Sequence, residues 1–483
     1  MWSNQLNYLM NLQPVLLRTD ALMFLLLLVV IGFIAYARHR EHLRAPWRKV
    51  FASRTGMASL VVMLAYLAIG LLDSVHFREP LPQQNLQGSG HYSIEVLSLL
   101  DLLARPLKEN TEKTYSAPFA THLFVKETLE LPDGSTLRRY PRLRYGGAHL
   151  RDPEHDRLAD ILQRSAVGLL LALLLWSALA LLLVACLSRY RRQPFRTVLS
   201  AVARGRTTIP WRVILLTVAV LLVALLLALS LATHYHIFGT DKVGQDVFYQ
   251  TLKSIRTALI IGTLTTLVML PFALVLGIMA GYFRGWVDDL IQYLYTTLNS
   301  IPSVLLIASA ILMLQVYIGT HPDLFETDAS RADMRLLFLC IILGVTSWTG
   351  LCRLLRGETM KMHAVEFVQA AAAFGVKDSR IMSRHLLPNV MHIVLINVVL
   401  DFSGLVLAEA ILSYVGVGVD PSMNSWGNMI NGARLEMARD PLVWWSLLAA
   451  FVFMFMLVLA ANLLSDAVRD AFDPRAQASA GAG

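Results

Sequence analysis

Three polar side chains interrupt an apolar stretch late in the chain: Asn397, Asp401 and Glu409. On a helix of about 3.6 residues per turn they fall within a sector of about 120°. Acids inside a membrane are costly and turn toward a bundle interior or a wet path. This stripe therefore either bonds to polar groups on neighbouring helices or lines a route for a polar solute. A second polar group is the segment FVQAAAAFGVKDSRIMSRHLLPN, from Phe367 to Asn389, which carries Lys377, Asp378, Arg380, Arg384 and His385 between two long apolar runs. Other chemistry is excluded by spacing. No G-x-x-x-x-G-K-[ST] occurs, so the chain has no P-loop with which to hold a nucleotide. No H-E-x-x-H occurs either. The HREH at His39–His42 is wrongly spaced, and the HYH at His234–His236 offers two imidazoles without a third ligand. No Ser/His/Asp set is placed by spacing. The chain reads as a non-enzyme with no catalytic residue, no metal site and no cofactor of its own.

The elements that position these groups follow from composition. Of 483 residues, 56% are hydrophobic and only 16% are charged, and the mean hydropathy is +0.55. Soluble domains carry about 25% charged residues. Nine apolar runs approach the ~20 residues that cross a bilayer: 21–37, 56–72, 165–187, 213–232, 257–281, 290–318, 335–353, 391–414 and 443–465. The fold class is an all-α polytopic membrane protein. The net charge of +8 belongs to its loops. No basic stretch is interleaved with stacking aromatics, so no nucleic-acid partner is expected. Cys186, Cys340 and Cys352 lie in or beside spans, so no disulfide framework is expected in the large polar loop.

Basic residues orient the spans. Residues 38–55 hold Arg38, Arg40, Arg44, Arg48, Lys49 and Arg54; residues 188–212 hold seven arginines and no acid; residues 353–389 hold six basic residues. The intervening loop 319–334 sets Arg331 against Asp323, Glu326, Asp328 and Asp333. This pattern puts the N-terminus outside and the C-terminus in the cytoplasm. The Ala35-Tyr36-Ala37 triplet resembles a leader-cleavage site, but cleavage there would leave a basic segment on the outer face, against the charge rule. Residues 73–164 then form an external polar insert. Its segment ETLELPDGSTLRRY, with Pro132-Asp133-Gly134 at the centre, reads as a β-hairpin. Residues 239–256, with Val247, Phe248, Leu252 and Ile255 on one side, read as an interfacial helix leading into the next span. Pro271 and Pro302 interrupt two spans, as is tolerated where helices line a cavity or pack on protein.

The segment Phe367–Asn389 reads as a helical hairpin on the cytoplasmic face. EFVQAAAAFG is a good helix former closed by Gly375. A second helix starts at Asp378 and is expected to stop before Pro388. The alanines 370–373 allow close approach of another backbone. Helix connections usually take about 2–8 residues, so the far longer link here has the size of a knob for a groove on a soluble partner.

These residues resemble a known family. Gln369-Ala370-Ala371, Gly375, Ile381, His385 and Leu387-Pro388-Asn389 resemble the "EAA" loop of ABC importer permeases, with Gln369 where the family usually has Glu. FGTDKVGQDVF (238–248), GIMAGYFRGWVDD (277–289) and LAEAILSYVGVGVDPSMNSWGNMI (407–430) resemble motifs of the dipeptide/oligopeptide permeases of the C type. Gln245 replaces the usual Arg, and Tyr293 and Thr296 stand where the family often has Arg and Asp. The resemblance covers about 237–475, half the chain. It implies a type I importer core of six spans within 211–475, whose coupling loop 357–389 docks on an ATPase through Phe367, Gln369, Ala370, Ala371, Gly375, Ile381, His385 and Pro388. Residues 1–72 then form a two-helix extension, 73–164 the insert, and 165–210 an extra span and basic linker. The implied partners are a second permease subunit in a heterodimer, two ATPase subunits that bind ATP and Mg, an extracytoplasmic solute-binding protein and membrane lipid. The implied function is peptide import across a bacterial inner membrane by alternating access. The alternatives are import of nickel chelates or other small solutes by the same superfamily, or a membrane-anchored sensor or assembly protein working through 73–164.

Single cysteines at Ser93 and Ser135, in a background without native cysteines, are expected to react with an impermeant thiol reagent in intact cells. Labelling only after lysis contradicts the orientation of the first three spans.

Overall fold

In lipid a chain must satisfy its own backbone, so long apolar runs become helices. The computed structural model describes residues 12–39, 41–80, 92–130, 136–321, 323 and 327–472. Among the described residues nine helices are long and apolar enough to cross a membrane. The extension contains α1 (Arg18–Arg38), a connecting α2 (Glu41–Ala52) and α3 (Arg54–Ser74). The next two long helices, α6 (Pro153–Arg191) and α8 (Trp211–Ala232), flank a short α7 (Phe195–Ala203). Between α3 and α6 lie the short α4 (Leu99–Leu103) and α5 (Arg105–Glu109). The remaining half holds α9 (Val247–Phe283), α10 (Gly285–Ser300), α11 (Ser303–Thr320), α12 (Asp328–His363), α13 (Glu366–Ala373), α14 (Asp378–Ile381), a π-turn (Met382–Leu386), α15 (Leu387–Tyr414), α16 (Trp426–Glu436) and α17 (Trp445–Phe472).

Several expected boundaries move. The segment 239–256 is not a separate interfacial helix. Asp246 caps α9 by accepting from the Tyr249 N–H, and nothing interrupts the helix from Val247 onward. The expected span 290–318 is two helices, because Ile301, held extended before Pro302, separates α10 from α11. The helix expected from residue 165 begins at Pro153, where Asp152 caps it and proline suits the first turn. The extension holds a third helix, the amphipathic α2, whose Val50 and Trp47 pack on Val468 and Phe472 of α17.

The insert is only partly β. Strands β1 (Gln13–Val15), β2 (His76–Arg78) and β3 (Leu97–Ser98) form an antiparallel sheet, with Pro14 opposite Phe77 and Phe77 opposite Leu97. The hairpin strands β4 (Glu127–Glu130) and β5 (Thr136–Arg139) pair with Glu127 opposite Arg139. Their turn, Pro132–Gly134, and Ser135 lie outside the described residues.

At the centre α9 lies against α12. A Cβ on Gly277 would stand 2.9 Å from the Cys352 carbonyl oxygen, one on Gly281 2.7 Å from that of Arg356, and one on Gly344 2.6 Å from Val268 Cβ. The glycines let the two backbones touch, as small residues do between membrane helices. The extension is fastened by buried charges to the end of this pair remote from Gly277 and Gly281. Arg256 on α9 holds Asp20 at 2.7 Å, and Asp20 also meets His76 at 2.9 Å. Asp333 on α12 accepts from the Arg18 N–H at 2.9 Å and from Thr19. Lys253 bonds to Asp73 at 2.6 Å and Asp101 at 2.8 Å.

The insert is latched beside them. Gly239 and Gly244, both at positive φ, lie so close to Ser116 and Glu112 that a Cβ would meet their carbonyl oxygens at 2.3 Å and 1.9 Å. His236 is buried with Nδ1 2.7 Å from Asp246 and Nε2 3.5 Å from Glu112. Glu112 accepts the backbone N–H groups of Arg144, Tyr145 and Gly146 at 2.8–3.0 Å. Burial opposes charge on both groups, but their mutual contacts win. His236 is raised to about 9 by hydrogen bonds to Asp246 and Glu112. Glu112 is lowered to about 2 by the bond from His236 and the three amides.

A raised histidine contributes fully below its ordinary 6.5 and loses that contribution as pH rises through about 9. The lowered Glu112 contributes fully above 4.5 and loses it as pH falls through about 2. Amide exchange over the described residues of 112–146, corrected for intrinsic rate, is therefore expected to be slowest at mildly acidic pH, to accelerate as pH rises from 6.5 to about 9 and to level off above it. His236→Gln should remove the alkaline step. An unchanged profile in that variant contradicts the latch.

Candidate functional site

The hairpin that follows α12 is built from a local stop and a set of anchors. Helix α13 ends in a paired closure: the Gly375 N–H donates to the Ala372 carbonyl at 2.9 Å and the Val376 N–H to that of Ala371 at 3.1 Å. This closure needs a left-handed residue, and Gly375 supplies it at φ +74°. A Cβ there would meet nothing within 4 Å, so the demand is conformational rather than steric. The second helix does not stop before Pro388. It widens into the π-turn, where the Leu387 N–H reaches the Met382 carbonyl, and continues as α15. Pro388 falls in the first turn of α15, where a missing N–H costs little.

Val368, Ile381 and Leu386 are buried in the same apolar cluster as Trp348, Leu351 and Leu355 of α12. Ile381 is thus an anchor beneath the hairpin and not a surface contact. The Tyr282 hydroxyl at the end of α9 donates to Asp378 at 2.7 Å. Arg356 of α12 grips Asp288 of α10 with two nitrogens, Nη2 to Oδ2 at 2.7 Å. The hairpin therefore rides on the ends of α9, α10 and α12.

Its outward surface is apolar where a loop should be polar. Phe374 is 87% exposed and Phe367 45% exposed. Phe367 leans on His385 with ring centroids 6.2 Å apart. Gln369, Ala370 and Pro388 are exposed, while Ala371 and His385 are half-buried. The Gln369 amide reaches only the Ala364 carbonyl, at 3.5 Å. Lys377, Arg380 and Arg384 of the same hairpin are exposed. Phe374 was not among the residues expected from the sequence. Its signal was an aromatic side chain set directly before a helix-closing glycine.

The intramembrane stripe comes apart. Glu409 is buried and accepts from the Ser413 hydroxyl at 2.6 Å. A Cβ on Gly427 would stand 3.0 Å from its Oε1, so Glu409 fills the joint between α15 and α16. The Asn397 amide donates to its own helix, at the Ile393 carbonyl 2.9 Å away. Asp401 is half-buried. Among the described residues no hydrogen bond or ion pair to Asp401 is formed, so no neighbouring helix of this chain offsets its charge.

At the other end, the segments around Asp241–Gln250 and Ser413–Glu436 enclose a cavity of about 460 Å³, lined by Gln245, Gln250, Asn424, Asn428 and Asn431 among others. The Trp426 indole pins this mouth to α9 through the Thr251 carbonyl at 3.2 Å. Asn428 ties it to the carbonyls of Asp420 and Met423. Amide side chains both donate and accept, which suits a backbone-like solute.

Residues 273–478 match the family described as the binding-protein-dependent transport system inner membrane component. The chain is 29% identical over 240 residues to the dipeptide transport system permease protein DppC of Bacillus subtilis, covering 50% of this chain and 69% of that protein. It is 31% identical over 239 residues to the oligopeptide transport system permease protein OppC of Mycobacterium tuberculosis, covering 50% of this chain and 76% of that protein. It is 29% identical over 242 residues to the glutathione transport system permease protein GsiD of Pectobacterium atrosepticum, covering 50% of this chain and 73% of that protein.

Proposed function

The chain belongs to the family of binding-protein-dependent transport system inner membrane components, and from that premise we propose that its hairpin is the seat of a partner ATPase. It is a multi-pass inner-membrane permease subunit of an ABC importer for peptides. The observation that carries the proposal is the aromatic tip: two exposed phenylalanines, Phe367 and Phe374, on a hairpin that the buried Val368, Ile381 and Leu386 anchor to the spans. Exposed aromatics on a fixed platform are the residues that anchor protein interfaces. The departure at Gln369 removes a charge from the family's contact but leaves this apolar surface intact.

In this reading ATP and Mg are bound and used by two ATPase subunits. A second permease subunit completes the pathway, and an extracytoplasmic binding protein delivers peptide to the amide-lined mouth. The N-terminus lies outside and the C-terminus in the cytoplasm. Helices α9 and α12 act as one lever, because their backbones touch and the hairpin is tied to both. Closure of the ATPases tilts that lever and changes which side of the membrane the pathway faces. Asp401 faces the pathway or the second subunit, where water or a partner side chain offsets its charge. The domain scheme follows: 211–475 is the permease core, and the preceding segments are additions to it.

Phe374→Ala should leave stability within about 0.5 kcal/mol of the wild type, as surface substitutions do. Capture of the ATPase subunits by the purified permease should weaken by about 2 kcal/mol, the scale of an aromatic anchor, and peptide uptake should fall with it. Full co-purification and normal uptake contradict the assignment.

A further inference from the structure

We propose that the corner between α6 and α8 is a docking site for the headgroups of anionic phospholipids. The segment 188–212 contains seven arginines, no lysine and no acid. All seven are exposed, and among the described residues none of their guanidinium groups forms an ion pair or a hydrogen bond. Cations held inside the protein find partners: Arg256 has Asp20, Arg356 has Asp288, Arg335 has Asp420. What sets this segment apart is that its unpaired cations are all arginine, with no acid among them.

The local fold holds that charge at a fixed depth. Helix α7 lies across the ends of α6 and α8, with Val198 and Val202 buried against Val184, Leu187 and Trp211. Phe195 and Leu199 stay 39% and 42% exposed. Nothing among the described residues covers them, and α6 and α8 bury little of their length against the rest of the described chain. Apolar side chains beside unpaired arginines on a short surface helix are the arrangement of an interfacial helix, whose apolar side enters the acyl boundary while its cations meet headgroups. The charge rule for membrane topology requires basic residues, but it does not require that all be arginine. The guanidinium fork matches a phosphate with two parallel hydrogen bonds, which an ammonium does not. The occupant is a lipid rather than a soluble anion because the cations are bracketed by apolar residues that only an acyl environment would cover. The choice of leaflet rests on the orientation proposed above; the lipid chemistry does not.

The test uses the full chain in nanodiscs of phosphatidylcholine containing a minor fraction of spin-labelled phosphatidylglycerol, with spin-labelled phosphatidylcholine as reference. Wild type should show a motionally restricted phosphatidylglycerol population in excess of the phosphatidylcholine one, weakened by salt. Combined Arg196→Gln, Arg204→Gln and Arg206→Gln substitution leaves four arginines to hold the topology. It should reduce the selectivity by about fivefold for each arginine removed. Arg138→Gln with Arg139→Gln on the outer hairpin should leave it unchanged. Equal selectivity in the triple variant and the wild type overturns the proposal. So does displacement of the labelled lipid by inorganic phosphate at equal concentration, which would make the corner a simple anion site. Because the assay contains no ATPase, failure here leaves the reading of the hairpin untouched.

Discussion

The approach of α9 to α12 is the contact on which the other arrangements rest. Lipid tails are as apolar as leucine, so two membrane helices gain little by burying apolar side chains against each other. What holds them is dense packing, and that requires small residues at the seam. Gly277 and Gly281 are spaced four apart, one turn of helix, and Gly344 continues the seam toward the end that carries Arg256. With the backbones in contact, Arg356 comes within reach of Asp288, and Tyr282 within reach of Asp378. At the other end Arg256 and Asp333 are brought together to receive Thr19 and Asp20. A bulkier seam would part both sets of bonds.

The second set ties together parts of the chain remote from one another in sequence. Lys253 and Arg256 are nearly buried cations, and their carboxylate partners Asp73, Asp101 and Asp20 all come from the extension or the insert. Breaking a buried pair by removing one member costs about 3–5 kcal/mol, because the other charge is left without compensation. The first part of the chain is thus not a loose appendage. It supplies the counter-charges that let α9 keep its buried cations. The positive-φ glycines Gly239 and Gly244 serve the same attachment, since only their lack of a side chain lets the insert lie along that loop. The long apolar pair α6 and α8 differs, touching the remainder of the chain little and ending in unpaired arginines.

Much of this was legible in the sequence where one residue type answers one local demand. Nine apolar runs gave nine span-length helices, because the backbone has no other option in lipid. Gly375 marked the hairpin's turn, because only a left-handed residue closes α13. The errors lie where local signals compete. Charged residues at 153–164 and 247–256 looked like loop or interface, yet capping by Asp152 and Asp246 carried both helices out past their apolar stretches. Pro302 interrupts the expected span 290–318 completely, leaving two helices. Pro388 was taken as a stop, but the π-turn shifts the ladder so that its missing N–H is not needed. Asn397, Asp401 and Glu409 share a sector of their helix, but sector alone does not tell that Ser413 and Gly427 close around Glu409 while Asp401 stays open. Pairs such as Arg256 with Asp20 leave no trace in local pattern. The Gly277–Gly281 spacing was present within GIMAG, and its meaning depends on which helix lies opposite.

The central claim is that α9 and α12 move as one body between the hairpin and the amide-lined mouth. Native Cys340 of α12 lies against Thr265 of α9, both buried at the seam. Oxidising a Thr265→Cys variant, in a background without Cys186 and Cys352, would lock the two helices together. Peptide uptake measured before and after oxidation is the direct test. If the pair is a single lever, uptake by the cross-linked importer equals that of the reduced one. Loss of uptake on cross-linking, restored by reductant, would mean that the helices must slide past each other and would contradict the account.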